Sequence, residues 1–279
     1  MGTWTLLLFV SCAFSGHHAG RDGATQDCCT NGFCLLNNVV LGAMHARLRW
    51  GVRRVAVVDI DVHFGNGTAE LLRDDDDAFF ASVHMRTDDF YPAGIGADAN
   101  TPRYVSVGLA PCDDDHQLKP RELSRGSQSF RAALTNKVFP ALRTFAPELI
   151  LISTGFDGLW SDPLGGTLRL CEDDFRWAAQ QLVQVAHTSP AEGRLVSVLE
   201  GGYDVSPSTM GVARCTKAHI EGLLDCSQPS TDFDMAAATR PVSSTAPTAE
   251  SKTKQPQSFC SVATDPELVA ANTDTKAPA

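Results

Sequence analysis

The sequence predicts an α/β domain built around a mainly parallel sheet, and three observations support this prediction. Short apolar segments alternate along the chain with segments of helical spacing, which is the order of β-α-β units. Polar side chains follow directly after the apolar segments, and parallel sheets bind ligands at the carboxyl ends of their strands. The 279 residues are 43% hydrophobic and 20% charged, which is an ordinary globular composition.

The elements are predicted in order from local patterns. Apolar residues at helical spacing predict a first helix over 33–49, which ends before Gly51, and a short helix is expected after Gly67. In the second half, helices are predicted over 118–145, stopped near Pro147, over 173–187 with an acidic first turn, and over 206–224. Short apolar runs predict five strands: 54–60, 78–84, 103–109, 148–154 and 194–200.

The chain divides into three regions of different composition. Residues 1–15 form an apolar stretch of uncertain origin, because no basic residue precedes its apolar part and it is too short to span a bilayer. Residues 16–225 hold the predicted elements and therefore form the domain. Residues 226–279 are rich in Ser, Thr, Pro and Ala without periodicity, and this composition predicts a disordered tail.

Charge and cysteine content exclude some classes of protein. A net charge of −10 without a basic stripe argues against direct nucleic-acid binding. Nine cysteines, an odd number without paired spacing, do not indicate a disulfide framework. A reducing compartment is therefore expected.

The segment "VVDIDVHFGNGT" at 57–68 raises the question of a metal site. Asp59, Asp61 and His63 alternate with apolar residues, so their side chains point to the same side of a strand end. Asp61 and His63 offer two ligands of the kind that zinc accepts, and a catalytic zinc site needs three and an open position. Asp157, just past the most apolar strand, supplies a third ligand. From this segment alone, a purely structural role is equally plausible, with Asp and His capping a helix near Gly67.

Two further motifs carry groups suited to catalysis. His17 and His18 offer adjacent imidazoles for general acid–base chemistry, although such a pair is more often a surface or core feature. Tyr203 follows two glycines, and its phenol can donate a hydrogen bond to a developing oxyanion. Alternatively, Tyr203 is an aromatic side chain packed beneath a glycine-rich turn.

Taken together, the motifs resemble those of zinc-dependent histone deacetylases. The segments that carry the resemblance lie between residues 16 and 225: "GHHA", "NGFCLLNN", "VVDIDVHFGNGT", "SVH", "STGFDGLWSDPLGG" and "LEGGYD". The chain is most similar to the class II branch, judged by GNGT, DPLGG and EGGY, and the related acetylpolyamine amidohydrolases share most of these motifs. The resemblance implies the arginase-like fold, a three-layer α/β sandwich, and hydrolysis of acetyl-lysine amides in histones or other proteins.

The resemblance also implies roles for individual residues. It implies that Zn²⁺ is bound by Asp61, His63 and Asp157. His18 would act as general base, with His17 as its electrostatic or acid partner. Asp59 would hold His17, and Asn66 would lie behind His18. Tyr203 would polarise the acetyl carbonyl together with the metal.

A substrate tunnel and a second cation are implied as well. The implied tunnel residues are Gly32, Phe33, Tyr91, Leu164 and Gly202. A structural potassium ion is implied near Asp59, Asp61, His63, Ser82 and Val83, mostly through backbone carbonyls. Leu164 stands where polyamine-selective relatives carry an acidic residue, which favours acyl-lysine over a cationic polyamine.

The sequence departs from the family pattern at three places. The connection between His18 and Phe33 is longer than usual, and Phe64 replaces a polar or histidine residue beside the site. The segment before His17 is short, so we expect an N-terminally truncated form of the domain. Two alternatives therefore stay open beside the deacetylase: an acetylpolyamine or small-amide amidohydrolase, and an inactive fragment that acts as a binding module.

The expected partners are acetylated proteins such as histone tails. Neither nucleic acid nor a membrane is expected to be bound directly, and corepressor-type complexes are unspecified. The expected location is the nucleus, the cytoplasm or both.

Overall fold

The structure is a computed structural model that describes residues 7–9, 16–20, 31–93, 96–112 and 123–225. Its strands are β1 (Leu7–Phe9), β2 (Val55–Asp59), β3 (Ala78–Met85), β4 (Ala99–Asn100), β5 (Tyr104–Leu109), β6 (Leu149–Thr154) and β7 (Leu195–Leu199). Its α-helices are α1 (Asn38–Trp50), α2 (Asn66–Leu72), α3 (Arg125–Ala133), α4 (Phe139–Phe145), α5 (Glu172–His187) and α6 (Gly211–Leu224).

The described strands form one seven-stranded sheet in the order β1-β7-β6-β2-β3-β5-β4. Neighbouring strands are parallel except for β4, which pairs antiparallel with β5. The register aligns Asp59, at the end of β2, with Ser82 on β3 and Ser153 on β6. The predicted mainly parallel sheet is therefore confirmed, and the carboxyl ends of its central strands lie side by side.

Helices cover both faces of the sheet, which gives three layers. Along β2, Ala56 and Val58 pack with residues of α3 to α6, whereas Val55 and Val57 pack with residues of α1 and α2. This alternation follows from the two-residue period of a strand, and it explains why the central strands are apolar throughout. The predicted three-layer sandwich is confirmed.

Two predicted helix starts are wrong. The first helix begins at Asn38 rather than at 33, because Phe33 has a φ of 65° and the Asn37 side chain accepts a hydrogen bond from the Val40 N–H. The last helix begins at Gly211 rather than at 206. The predicted end of the first helix is confirmed, since Gly51 adopts the left-handed conformation of a C-terminal cap.

The helix predicted over 118–145 is composed of three pieces. Residues 118–122 lie outside the described part of the chain, and α3 begins at Arg125 after Ser124, whose hydroxyl accepts from the Ser127 N–H. A π-helical turn, Leu134–Val138, then joins α3 to α4 just before Pro140. Proline has no N–H to donate within a helix, and a widened turn accommodates that loss.

The terminal regions differ in what the structure describes. β1, within the apolar N-terminal stretch, pairs with β7 and extends the sheet, and it was not predicted as a strand. The predicted tail, 226–279, lies outside the described residues. Within the described ranges, no helix is long and apolar enough to cross a membrane.

A buried hydrogen-bond chain connects β6, β7 and α6 beneath the carboxyl end of the sheet. The hydroxyls of Thr154 and Ser197 are 2.7 Å apart, and the Ser197 hydroxyl is 2.9 Å from Nε2 of His219. His219 is 1% exposed. Burial, which disfavours the charged imidazolium, lowers the pKa of His219 to about 4.

Replacing His219 with glutamine should make the fold less sensitive to acid. The unfolded chain binds a proton near the ordinary histidine pKa of 6.5, whereas the folded chain binds it only near 4. The free energy of unfolding is therefore fully retained above pH 6.5 and decreases as the pH falls through this window, by about 2 kcal/mol at pH 5. Urea unfolding at pH 7 and pH 5 should show a smaller decrease for His219→Gln than for the parent.

The control for this prediction is His187→Gln, at an exposed position in the last turn of α5. This variant should keep the acid sensitivity of the parent. Equal acid sensitivity of His219→Gln and the parent would contradict the assignment of His219 as a buried neutral imidazole.

Candidate active site

Three metal-ligand side chains converge where β2 and β6 end. The ligand atoms of Asp61, His63 and Asp157 all lie within 4.8 Å of one another. Nδ1 of His63 is 3.0 Å from a carboxylate oxygen of Asp61 and 3.0 Å from one of Asp157. This spacing fits a single ion, because Zn–O and Zn–N bonds are about 2.0–2.2 Å long.

Backbone N–H groups fix both carboxylates. Val62 donates to Asp157 at 3.0 Å, and Gly201, after β7, donates to Asp61 at 2.9 Å. Gly201 also has to be glycine, because a Cβ there would lie 2.2 Å from Oδ2 of Asp157. Three parallel strands thus contribute to one site: β2 and β6 through the ligands and β7 through the glycine that follows it.

The electrostatics of the three side chains fit a bound cation. Asp61 and Asp157 are 1% and 0% exposed. Burial, together with the neighbouring Asp61 carboxylate, raises the pKa of Asp157 to about 6. Although burial opposes it, hydrogen bonds to Asp157 and Asp61 raise the pKa of His63 to about 10. The buried carboxylates therefore need positive charge, and a divalent cation held by the three side chains would supply it in place of the proton on His63, which must leave before His63 can bind a metal.

The two adjacent histidines differ in their partners. Nδ1 of His17 is 2.8 Å from the Asp59 carboxylate, whereas Nδ1 of His18 is 2.7 Å from the side-chain oxygen of Asn66. Burial opposes protonation of His17, but the carboxylates of Asp59 and Asp61 raise its pKa well above the ordinary value. Burial, with the nearby charge of His17, lowers the pKa of His18 to about 2. One imidazole is thus cationic and its neighbour is neutral.

Glu200 anchors the segment that carries the histidines, and the sequence predicted no role for it. Its carboxylate accepts hydrogen bonds from the N–H groups of Gly16, at 2.6 Å, and His17, at 3.2 Å. The Ser153 hydroxyl, at the end of β6, donates to the same carboxylate at 2.8 Å. The signal in the sequence is the position of Glu200 directly after a strand, where the other polar groups of the site lie.

A cavity of about 450 Å³ opens onto the histidines and the metal-ligand cluster. Its lining residues are His17, His18, Gly32, Phe33, His63, Asp89, Phe90, Tyr91, Leu164 and Tyr203. The ring of Phe90 stacks on that of His63 with centroids 4.8 Å apart, and Tyr91 lies edge-on to His18 at 4.9 Å. The walls are therefore mainly aromatic, as suits an aliphatic chain that ends in a polar group.

Most of the predicted tunnel residues line this cavity. Gly32 has a φ of 50°, and a Cβ there would lie 2.2 Å from Cδ2 of His18, so no larger residue fits. The prediction that Gly202 lines the tunnel is not met, because Gly202 is not among the lining residues. With a φ of 130°, it forms the turn before Tyr203. Phe90 and Asp89 line the cavity without having been predicted, although both immediately precede Tyr91.

The remaining predicted residues do not line the cavity. Asp59 and Asn66 contact Nδ1 of His17 and Nδ1 of His18, respectively. Ser82 and Val83, which were predicted to surround potassium with Asp59, Asp61 and His63, lie on β3, and Ser82 is aligned with Asp59 on the neighbouring β2. Phe64 is 3% exposed and packs against Phe80 and His84, beside the site rather than in it. Residues 21–30, in the long connection after His18, lie outside the described residues.

Comparison with known proteins agrees with this geometry. Residues 7–223 match the family model of the histone deacetylase domain. The chain is 40% identical over 214 residues to type-2 histone deacetylase 2 of Dictyostelium discoideum, and 33% identical over 234 residues to a histone deacetylase-like amidohydrolase of Pseudomonas aeruginosa. The chain therefore belongs to the histone deacetylase family, within the arginase/deacetylase superfamily.

Solved structures show the same fold. The crystal structure of the HDA15 HD domain matches with a TM-score of 0.59 and 28% identity, over 78% of this chain and 55% of that chain. An acetylpolyamine aminohydrolase from Burkholderia pseudomallei matches with a TM-score of 0.60 and 26% identity, over 77% of this chain and 56% of that one.

The chain spans only part of the relatives that it matches. The alignments cover 75% of this chain but 12% of the Dictyostelium protein, and 78% of this chain but 56% of the Pseudomonas protein. Activities and partners of those longer proteins therefore bear on this chain as proposals.

Replacing Asp157 with alanine should abolish zinc binding. The variant removes one of three ligands and leaves the Val62 N–H without its acceptor. Elemental analysis of the purified, folded chain should find about one zinc per parent molecule and little in the variant. Asp98→Ala is the control, because Asp98 is exposed and also accepts a backbone N–H, from Gly108. A folded parent without zinc would contradict the predicted site.

Proposed function

We propose that this chain is a zinc-dependent protein lysine deacetylase, which hydrolyses acetyl-lysine amides in histones or other proteins. One observation carries the proposal: the metal-ligand cluster, the neutral His18 and the phenol of Tyr203 all meet at one cavity with aromatic walls. Such a set serves amide hydrolysis, which needs an electrophile for the carbonyl, a base for water and a donor for the oxyanion.

The residues of the chain divide this chemistry among them. Zn²⁺ held by Asp61, His63 and Asp157 would act as a Lewis acid toward the amide carbonyl and promote deprotonation of the attacking water. His18 would accept the proton of that water at Nε2, because its Nδ1 is engaged by Asn66. Tyr203 would donate its hydroxyl hydrogen bond to the oxygen as negative charge develops.

His17 would supply positive charge beside this reaction. The Asp59 contact keeps its imidazole protonated and oriented, and its Nε2 lies 3.7 Å from a carboxylate oxygen of Asp61. Because His17 also lines the cavity, its positive charge would stabilise negative charge that develops there, and it could later supply a proton toward the leaving amine.

The cavity walls would receive the side chain of acetyl-lysine. Phe33, Phe90 and Tyr91 present aromatic surface, and the four methylenes of lysine gain free energy by leaving water against such surface. The exposed ring of Phe33, 73% accessible, stands at the outer end, where the substrate backbone would pass.

One observation favours a second candidate, hydrolysis of acetylpolyamines. Asp89 is exposed and lines the mouth, so its carboxylate could pair with a substrate ammonium group. Leu164, also at the mouth and 49% exposed, favours the uncharged chain of acyl-lysine instead. The third candidate is an inactive fragment that binds acetylated proteins. In that case the residues that line the cavity would bind acetyl-lysine without hydrolysing it.

The proposal extends to cofactors, partners and location. A potassium ion near Asp59 and Ser82 would stabilise the carboxyl edge of β2 and β3. Histone tails and other acetylated proteins are the proposed partners, in the nucleus, the cytoplasm or both. The negative net charge of −10 suits the basic sequences around acetylated lysines of histone tails.

The zinc-loaded full chain should hydrolyse an acetyl-lysine peptide, and Tyr203→Phe should lower kcat about 100-fold or more, since oxyanion donors contribute that much. Acetate release from the peptide and from an acetylated polyamine, measured side by side, distinguishes the first two candidates. If the zinc-loaded parent binds the peptide but releases no acetate, the deacetylase proposal is wrong and the binding module is supported.

Charge changes at the mouth should shift substrate preference in opposite directions. Leu164→Glu should raise the ratio of kcat/KM for acetylpolyamine over acetyl-lysine peptide, and Asp89→Asn should lower it. Each shift is expected to be about two- to fivefold, because exposed ion pairs contribute about 0.2–1 kcal/mol. Asp88→Asn removes a neighbouring exposed carboxylate that does not line the cavity, so it should change the ratio least. If Asp88→Asn and Asp89→Asn change the ratio of kcat/KM equally, a specific contact between Asp89 and the substrate ammonium group is contradicted.

A further inference from the structure

The carboxylate of Asp162 joins its own loop, which carries Leu164, to the segment that carries Tyr203, and both residues line the cavity. One oxygen accepts from the N–H groups of Leu164, at 2.9 Å, and Gly165, at 3.2 Å. The other oxygen accepts from Tyr203, at 2.7 Å, and Asp204, at 3.2 Å. Asp162 is 7% exposed, and among the described residues no arginine or lysine pairs with it. Its negative charge is therefore offset by backbone dipoles from both loops.

Besides Asp162, one other hydrogen bond holds the backbone of Tyr203: its carbonyl accepts from the Val205 N–H at 2.9 Å. β7 ends at Leu199 and α6 begins only at Gly211, so Tyr203 lies in an irregular segment. The residue before it, Gly202, has a φ of 130°, a conformation that glycine adopts without strain and that other residues rarely adopt. The hydrogen bond to Asp162 is the contact that fixes the Tyr203 N–H in this segment.

We propose that Asp162 is a positioning residue that fixes the positions of the Tyr203 phenol and the Leu164 side chain relative to each other at the cavity mouth. The carboxylate holds Tyr203 at the reacting carbonyl and Leu164 at the substrate chain through one rigid group. The consequence for turnover rests on the proposed deacetylase function, whereas the orientation of Tyr203 does not.

Asparagine at this position tests the geometry. An amide offers one acceptor oxygen and one NH₂ group, so it can accept from one pair of N–H groups and must present its own donors to the other pair. Asp162→Asn therefore detaches one loop while preserving the size of the side chain. Glu148→Gln is the matched control, because Glu148 also accepts a backbone N–H, from Arg53, at the opposite end of the sheet.

The chain has only three tyrosines, so fluorine NMR of the full chain labelled with 3-fluorotyrosine can follow each of them. Replacing Tyr91, Tyr104 and Tyr203 one at a time with phenylalanine assigns the three resonances. In Asp162→Asn we expect the Tyr203 resonance to shift or broaden, with those of Tyr91 and Tyr104 unchanged. An unchanged Tyr203 resonance, or equal changes at all three, would overturn the proposal, since the second result indicates a general loss of structure.

A double-mutant cycle provides a second, kinetic test. If Asp162 acts through Tyr203, Asp162→Asn should lower kcat about 10- to 100-fold in the parent, as small misplacements of reacting groups do. In the Tyr203→Phe background the same change should lower kcat less than about twofold, because the group being positioned is absent. Full additivity would overturn the proposal. Should the parent hydrolyse no acetyl-lysine peptide, the proposed function fails, and the NMR result alone decides the role of Asp162.

Discussion

The central physical constraint on this molecule is the burial of several carboxylates at the carboxyl ends of the central strands of a parallel sheet. Asp59, Asp61, Asp157 and Glu200 are each at most 8% exposed, and a carboxylate removed from water needs charge or hydrogen bonds in compensation. The compensating donors are imidazoles and backbone N–H groups from the segments that follow the strands. Because those segments begin at the carboxyl ends of neighbouring strands, the register of β2, β6 and β7 decides which donor reaches which carboxylate.

How much could be predicted from the sequence depends on how local the causes are. The sheet was predictable because apolar strands are visible within a few residues. The alternation of Asp61 and His63 indicated two ligands of the metal site. Asp157, 94 residues from His63, was an available third ligand, but the full set was implied only by the family resemblance. The start of α1 was not predictable, since the left-handed backbone of Phe33 has no signal in helical periodicity. Asp162 and Glu200 were given no role for a different reason. Glu200 follows a strand, as other site residues do, but both carboxylates bind N–H groups far away along the chain, and the sequence does not indicate those partners.

The fold itself does not separate the chemistries found among its relatives. A deacetylase domain and an acetylpolyamine aminohydrolase match this chain with nearly equal TM-scores, 0.59 and 0.60. The buried floor of the cavity carries the groups proposed to act on an amide, and the rim carries the few side chains proposed to meet the rest of a substrate. Selectivity can therefore change through exposed loop residues without altering the compensation of the buried carboxylates.

The three metal-ligand residues follow two different strands, Asp61 and His63 after β2 and Asp157 after β6, and this has a consequence for folding. An ion bound by Asp61, His63 and Asp157 would link segments 94 residues apart in sequence, so it would bind the native chain far better than the unfolded one. Its free concentration would then enter the folding equilibrium directly, adding about 2.7 kcal/mol at a hundredfold excess over Kd. The stability of this chain in a cell would therefore depend on the local supply of metal.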